Sequence, residues 1–285
     1  MLRLVMDSGG DVPREWMETY DIRIIPINVH MGDKVFLEDV NLSVDDFYRW
    51  VEETGEIPKS SQPSPEQFKE IYREIAEPGD VILSIHLTSK LSGTYESAVI
   101  AARDLEDEPF EIIPFDSLSG TAIQGFMCCE ARVMHRQGAS LEEILDRLAD
   151  IRDHCEVVFA LDSLDFAQKS GRVNRIETLL ASLLRVKPII HLEEGMLEIG
   201  EKVRTRVASL EFIIAEMVSR IGDIPVHAAV MHAHDLATAL DFGETVKERL
   251  NVKRFFVEEV STGIAANLGP GTIGIVAYPI GEGVF

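Results

Sequence analysis

Apolar, strand-like runs alternate with helical patterns along the whole chain, and this alternation limits its fold more than any other feature. Strands are expected near residues 2–6, 22–30, 80–87, 110–115, 156–161, 186–192, 225–231, 252–259 and 272–278. Helices are expected near 13–20, 43–54, 65–77, 93–105, 120–137, 140–154, 175–185, 205–221 and 235–250. The pattern reads as α/β, with mostly parallel sheets. Ser64 with Gln67 and Ser140 with Glu143 have capping-box spacing, and Pro65 falls where a first-turn proline is tolerated. His191 to Ile199 reads as a hairpin around Gly195, which gives the second sheet an antiparallel element.

At 285 residues the chain exceeds the about 100–150 of a single domain, and its 46% hydrophobic residues suffice for two cores. Two α/β domains are expected, 1–155 and 156–285, the second with a mixed sheet and with a ligand cleft between the two. The net charge of −22, from 49 acidic against 27 basic residues, repels phosphate backbones and anionic lipid surfaces. Nucleic acid and stable membrane association are therefore not expected. No uncharged apolar run reaches the ~18–20 residues of a membrane span, and residues 1–7 read as a strand rather than a signal peptide, so a cytoplasmic protein is expected. Cys128, Cys129 and Cys155 are few, odd in number and without CxxC spacing, and read as reduced packing residues.

The run Val81 to Leu87 leads directly into Thr88, Ser89, Ser92, Gly93 and Thr94, and then into a helical pattern from about Tyr95. In open α/β sheets ligands bind at the C-terminal ends of strands, and unpaired amides at a helix start favour an anion. Three other runs end in a similar way, at Asp7-Ser8, Asp116-Ser117 and Asp162-Ser163. Each pair alone is also a good turn or N-cap, but together they suggest one polar rim. Pro58 to Pro65 holds a second hydroxyl cluster, in which Ser64 is the N-cap and Ser60 and Ser61 have no obvious structural duty. With Ser92 they offer neutral hydrogen bonds to a carboxylate. Gly263 to Gly274 packs glycines around one polar amide, Asn267. His232-Ala-His234-Asp235 ends another strand. Joined by Asp7, Asp116 and Asp162 it would suit a metal-dependent hydrolase of a small anionic substrate, which is the alternative reading. No Walker loop, Gly-x-Gly-x-x-Gly fingerprint or Gly-x-Ser-x-Gly elbow is present.

Taken in order, Asp7-Ser8 with Asp11, Lys59-Ser-Ser-Gln-Pro-Ser64, Ser89-Lys-Leu-Ser-Gly-Thr-Tyr95, Lys169-Ser-Gly-Arg-Val173, Glu201-Lys-Val-Arg-Thr205 and Asn267-Leu-Gly-Pro-Gly271 resemble the DegV family of fatty-acid-binding proteins. The resemblance spans nearly the whole chain. It implies a two-domain α/β carrier that holds one long-chain fatty acid in a tunnel associated with the interdomain cleft, has no cofactor and is not itself an enzyme. It also implies a partner, a separate ATP-dependent fatty acid kinase that makes acyl phosphate for phospholipid synthesis. Carried over by residue, Ser60 and Ser92 bind the carboxylate, with Ser61, Gly93, Thr94 and Asn267 completing the site. Asn267 stands where the family usually has histidine, so a donor is kept but a cation is lost. Lys169, Arg172, Lys202 and Arg204 are the basic residues expected to dock the kinase.

Overall fold

The computed structural model describes residues 1–174 and 186–281. Its first elements are β1 (Leu2–Asp7), α1 (Arg14–Thr19), β2 (Ile22–Ile25), β3 (Asn28–Met31), β4 (Lys34–Leu37), α2 (Val44–Thr54), β5 (Lys59–Ser61), α3 (Pro65–Ile75), β6 (Val81–His86), α4 (Thr94–Asp104), β7 (Glu111–Asp116), α5 (Thr121–Arg136) and α6 (Leu141–His154). There follow β8 (Glu156–Ala160), α7 (Asp165–Ser170), β9 (Val173–Asn174), β10 (Lys187–Glu193), β11 (Met196–Val203), α8 (Arg206–Ile221), β12 (Val226–His232), α9 (Leu236–Arg249), β13 (Val252–Glu259), α10 (Thr262–Leu268) and β14 (Ile273–Pro279). The helix expected at 175–185 lies outside the described residues. One unit comprises Met1–Ser43 and Ser60–Asp153, the other Val44–Lys59 and His154–Ile280. Among the described residues no helix is long and apolar enough to cross a membrane.

β1 and β6 are almost wholly buried, as near-continuous apolar strands covered on both faces must be. They pair in parallel, Leu4 opposite Leu83, in a sheet of order β2-β1-β6-β7 that is parallel throughout. The chain winds outward from β1 to β2 on one side and from β6 to β7 on the other. The boundary between β1 and β6 is therefore the topological switch point, where loops diverge and leave a crevice. Phe68, Tyr72, Ala98, Ala101 and Leu105 from α3, α4 and the residue after α4 pack on Val5, Ile25 and Ile82 of this sheet.

The single strand expected over 22–30 is divided at Pro26, which has no N–H to give a ladder. Ser8 bridges the break, its N–H donating to the Ile25 carbonyl at 3.0 Å and its hydroxyl accepting from the Ile27 N–H at 2.9 Å. The Ser8 hydroxyl also donates to Glu38. β3 continues into the short sheet of order β4-β3-β5. Both capping boxes form, with Ser64 and Gln67 exchanging bonds at the start of α3 and Ser140 with Glu143 at the start of α6.

The second unit's sheet has the order β13-β12-β14-β8-β10-β11-β9. β10 and β11 form the expected hairpin, turning through Glu194 and Gly195, both at positive φ. Antiparallel pairing extends beyond it, to β8 with β10, β8 with β14 and β12 with β14, while β12–β13 and β9–β11 run parallel. The mostly parallel character read from alternation thus belongs to the first sheet. α2 joins this second unit although it lies early in the chain, and Tyr48 stacks on His234 with ring centroids 4.3 Å apart.

A chain of buried polar contacts fixes the switch point. Asp7 accepts from Gly9 N and, through its other oxygen, from His86 Nδ1, Leu87 N and Gln124 Nε2, each at 3.0 Å. The Tyr72 hydroxyl donates to Ser84 at 2.8 Å, and Ser84 Oγ lies 2.7 Å from His86 Nε2. Because a carboxylate only accepts, His86 Nδ1 donates to Asp7. Burial pushes the Tyr72 phenol above its ordinary pKa and keeps it a donor. Asp7→Ala leaves four buried donors without their acceptor and should cost about 3 kcal/mol or more of unfolding free energy, read from urea melts at unchanged slope. A loss under about 0.5 kcal/mol would show that the network does not hold the sheet.

Candidate ligand site at the end of the first sheet

Thr88 begins the turn that follows β6. Its N–H donates to the Ser119 carbonyl at 2.8 Å, and its own carbonyl accepts from Leu91 and Ser92, both at 3.2 Å. Asp116, at the end of β7, accepts from the amides of Ser89 and Leu118 at 3.1 Å. Two adjacent strand ends are thereby laced together, and the turn delivers Ser92, Gly93 and Thr94 to the start of α4. Ser92 and Thr94 hydroxyls lie 2.9 Å apart, Ser92 Oγ accepts from the Thr94 N–H at 3.3 Å, and the N-cap position, Gly93, has no side chain. Hydroxyls beside a helix start whose N-cap is glycine form a neutral, dipole-assisted seat for an anion.

The second hydroxyl cluster reaches this turn through a residue that was not singled out from sequence. A Cβ placed on Gly93 would lie 2.8 Å from Nε2 of Gln62, so the Gln62 side chain lies against the Gly93 backbone and only glycine leaves it room. Gln62 is consequently a neighbour of the Ser92–Thr94 turn, and Ser60 and Ser61 precede it on β5. Ser61 is hydrogen-bonded to His30 Nε2 at 2.7 Å, and Asn28 Nδ2 donates to the Gln62 carbonyl at 2.9 Å, which fixes the strand they share. Ser60 and Ser61 are half-buried. The signal for Gln62 lay in its position between two hydroxyls and a proline, but a polar loop facing water explains that equally well.

The acidic rim expected from sequence dissolves into internal partnerships. Asp7 is sealed in the network already described, Asp116 caps loop amides, and Asp162 is paired with Lys187. His232 Nδ1 accepts from the Asp235 amide at 3.4 Å, and burial holds the His232 imidazole below its ordinary pKa. His234 covers Tyr48, and its N–H donates to Glu259 at 2.9 Å. Among the described residues no group of three or more His, Cys, Asp or Glu side chains is placed to hold a metal, and the hydrolase reading finds no support.

In the second unit Asn267 sits on α10, half-buried, and its Nδ2 donates to the Gly263 carbonyl at 2.6 Å. The loop after it packs closely on the segment around α7. A Cβ on Gly269 would lie 2.9 Å from the Phe166 ring, and one on Gly271 the same distance from Cβ of Asp162. The fold therefore brings the Asn267–Gly271 stretch against Asp162 and Phe166. Lys169 lies in the last turn of α7, exposed, and Arg172 folds back to donate to the Ser170 carbonyl at 2.6 Å. Val173 is in register with Leu197, whereas Lys202 and Arg204 come at and beyond the other end of β11. Arg172 and Lys202 are thus on the order of 15–20 Å apart along the strand.

A family model described as "Uncharacterised protein, DegV family COG1307" matches residues 1–280. The protein DegV of Bacillus subtilis is 31% identical, over 96% of this chain and 98% of its own length. A fatty acid-binding protein of Thermotoga maritima is 32% identical over 96% of each chain. Among solved structures, one described as showing fatty acid binding of a DegV family protein from Thermus thermophilus superposes with a TM-score of 0.90 at 29% identity, over 98% of this chain and 99% of that one. With a family model over residues 1–280 and relatives 31% and 32% identical over 96% of its length, the chain belongs to the DegV family.

Proposed function

We propose that this protein binds one long-chain fatty acid and presents its carboxylate to a separate ATP-dependent fatty acid kinase, which forms the acyl phosphate. The observation that carries the first half is the close approach of Gln62, which follows Ser60 and Ser61 on the chain, to Gly93 at the start of α4, beside the paired hydroxyls of Ser92 and Thr94. A seat of neutral donors suits an ionised carboxylate, because a hydrogen bond to a charged group contributes about 1.5–3 kcal/mol. The relatives from Thermus thermophilus and Thermotoga maritima, described by their fatty acid binding, support the same ligand class. Asn267 is assigned to the head group as a further donor on the family pattern.

The tail supplies most of the affinity on this reading. Burying ~15 methylenes at about 0.8 kcal/mol each yields on the order of 12 kcal/mol before ordering costs, so the hydroxyls need only place the head. The kinase half rests on the family resemblance and on Lys169, Arg172, Lys202 and Arg204, basic residues in a chain of net charge −22, which suit docking to an acidic surface. The protein then acts as carrier and the chemistry falls to its partner.

Mass spectrometry of lipid released from the purified protein by denaturation should yield a long-chain fatty acid. A blank extract, together with no binding of added C14 to C18 acids, would refute the reading. Ser92→Ala should weaken binding by about 1–3 kcal/mol with the melting temperature unchanged, since the tail remains buried. Unaltered affinity in both Ser60→Ala and Ser92→Ala would place the carboxylate elsewhere. Asn267→His should add a pH dependence that the native protein lacks at this position. The imidazole gains charge as pH falls through its pKa while the carboxylate remains ionised, so binding tightens on the acidic side between roughly pH 8 and 6. A titration of affinity against pH that stays flat in the variant would remove Asn267 from the head-group site.

A further inference from the structure

One strand beyond the hydroxyl turn, the first unit carries a second group of polar atoms. α5 starts at Thr121 behind Gly120 with no side chain capping it. Ser119, Thr121 and Gln124 are 1%, 5% and 0% exposed, and Ser119 Oγ, Thr121 Oγ1 and Gln124 Oε1 have no hydrogen-bond partner among the described residues. Thr121 and Gln124 are three residues apart and so share one face of the first turn of α5. The Thr121 N–H donates to the Gly9 carbonyl at 2.7 Å, and the Ser119 carbonyl accepts from Thr88, the residue that opens the head-group turn. Gln124 lies against Gly10, its Cδ 3.1 Å from where a Cβ would be. The group thus borders the loops that follow both β1 and β6. Buried polar atoms are nearly always partnered, so three orphans at one helix start point to an occupant.

The chemistry of that occupant follows from Gln124. Both hydrogens of its Nε2 are committed, to Asp7 Oδ2 and to the Ile85 carbonyl, each at 3.0 Å. This fixes the orientation of the amide and leaves Oε1 purely an acceptor. An ionised carboxylate has no proton to give it and is excluded. An alcohol hydroxyl has the chemistry these atoms call for, since it can donate to the amide oxygen of Gln124 and accept from the hydroxyl of Ser119 or Thr121. We propose that Ser119, Thr121 and Gln124 form a second recognition site for a hydroxyl group on the acyl chain, so that the protein prefers hydroxylated fatty acids. This rests on the fatty-acid reading above.

Native mass spectrometry of the full chain, competing myristate against myristates hydroxylated at single successive carbons from the β position onward, tests it. At least one hydroxylated isomer should be retained roughly three- to tenfold over myristate, the gain of one buried hydrogen bond. The double variant Ser119→Ala with Thr121→Val should bring that ratio to about one with myristate still bound, while Thr121→Ser should preserve it. Should the double variant not fold, Ser119→Ala alone should lower the ratio. If no isomer exceeds myristate in the native protein, or if the preference survives the loss of both hydroxyls, the occupant is ordered water and the proposal falls. Failure to bind any of these acids would overturn the fatty-acid reading and this one with it, whereas equal retention overturns this one alone.

Discussion

The Asp7 carboxylate is the contact on which the hydroxyl-bearing end of the first unit depends. It is wholly buried, and a buried carboxylate is tolerated only where donors replace the water it has lost. Its donors come from three places: its own loop, the end of β6, and α5. Through His86 and Ser84 the same line of contacts reaches Tyr72 on α3. The two strand ends flanking the switch point are therefore held at a common level. The turn bearing Ser92 begins two residues after His86, so its height above the sheet is set by this buried contact rather than by the loop itself.

That arrangement explains why acids at strand ends mislead. An acid next to serine at a strand terminus reads as a ligand-facing rim, yet Asp7, Asp116 and Asp162 all turn inward or sideways to satisfy amides and a lysine. A carboxylate in a chain of net charge −22 would repel an anionic head group. Spending these acids on structure leaves the exposed chemistry to serine, threonine, backbone amides and Gln62. The same logic disposes of His232 and His234, which serve a helix-start amide and the ring of Tyr48.

The regular elements were legible because their signals are local. Capping boxes at Ser64 and Ser140, the turn at Gly195 and the buried strands at Leu2–Asp7 and Val81–His86 each rest on a few adjacent residues. What escaped depends on contacts distant in sequence. β4, β5 and β9 are too short to show a period, and β5 exists because β3 offers it an edge. α10, within the glycine-bearing stretch from Gly263 to Gly274, is a helix because two alanines and a leucine favour it before Gly269 stops it at positive φ. α2 was unreadable as part of the second unit, since the stack of Tyr48 on His234 joins residues 186 positions apart in a chain whose numbering suggests contiguous halves.

If the protein carries a fatty acid as proposed, neutral recognition of the head also bears on how it releases what it holds. A cation paired with a carboxylate in a buried site is costly to separate, because each charge left behind is desolvated. Hydroxyls and helix amides impose no such penalty: when the carboxylate leaves, Ser92 and Thr94 retain each other at 2.9 Å and Ser61 retains His30. On the proposed reading, a head-group site whose members are partly satisfied without ligand binds the carboxylate weakly and positions it firmly, leaving the apolar tail to set residence. The affinity can then change with chain length and with any hydroxyl along it, while the geometry offered at the carboxylate stays the same.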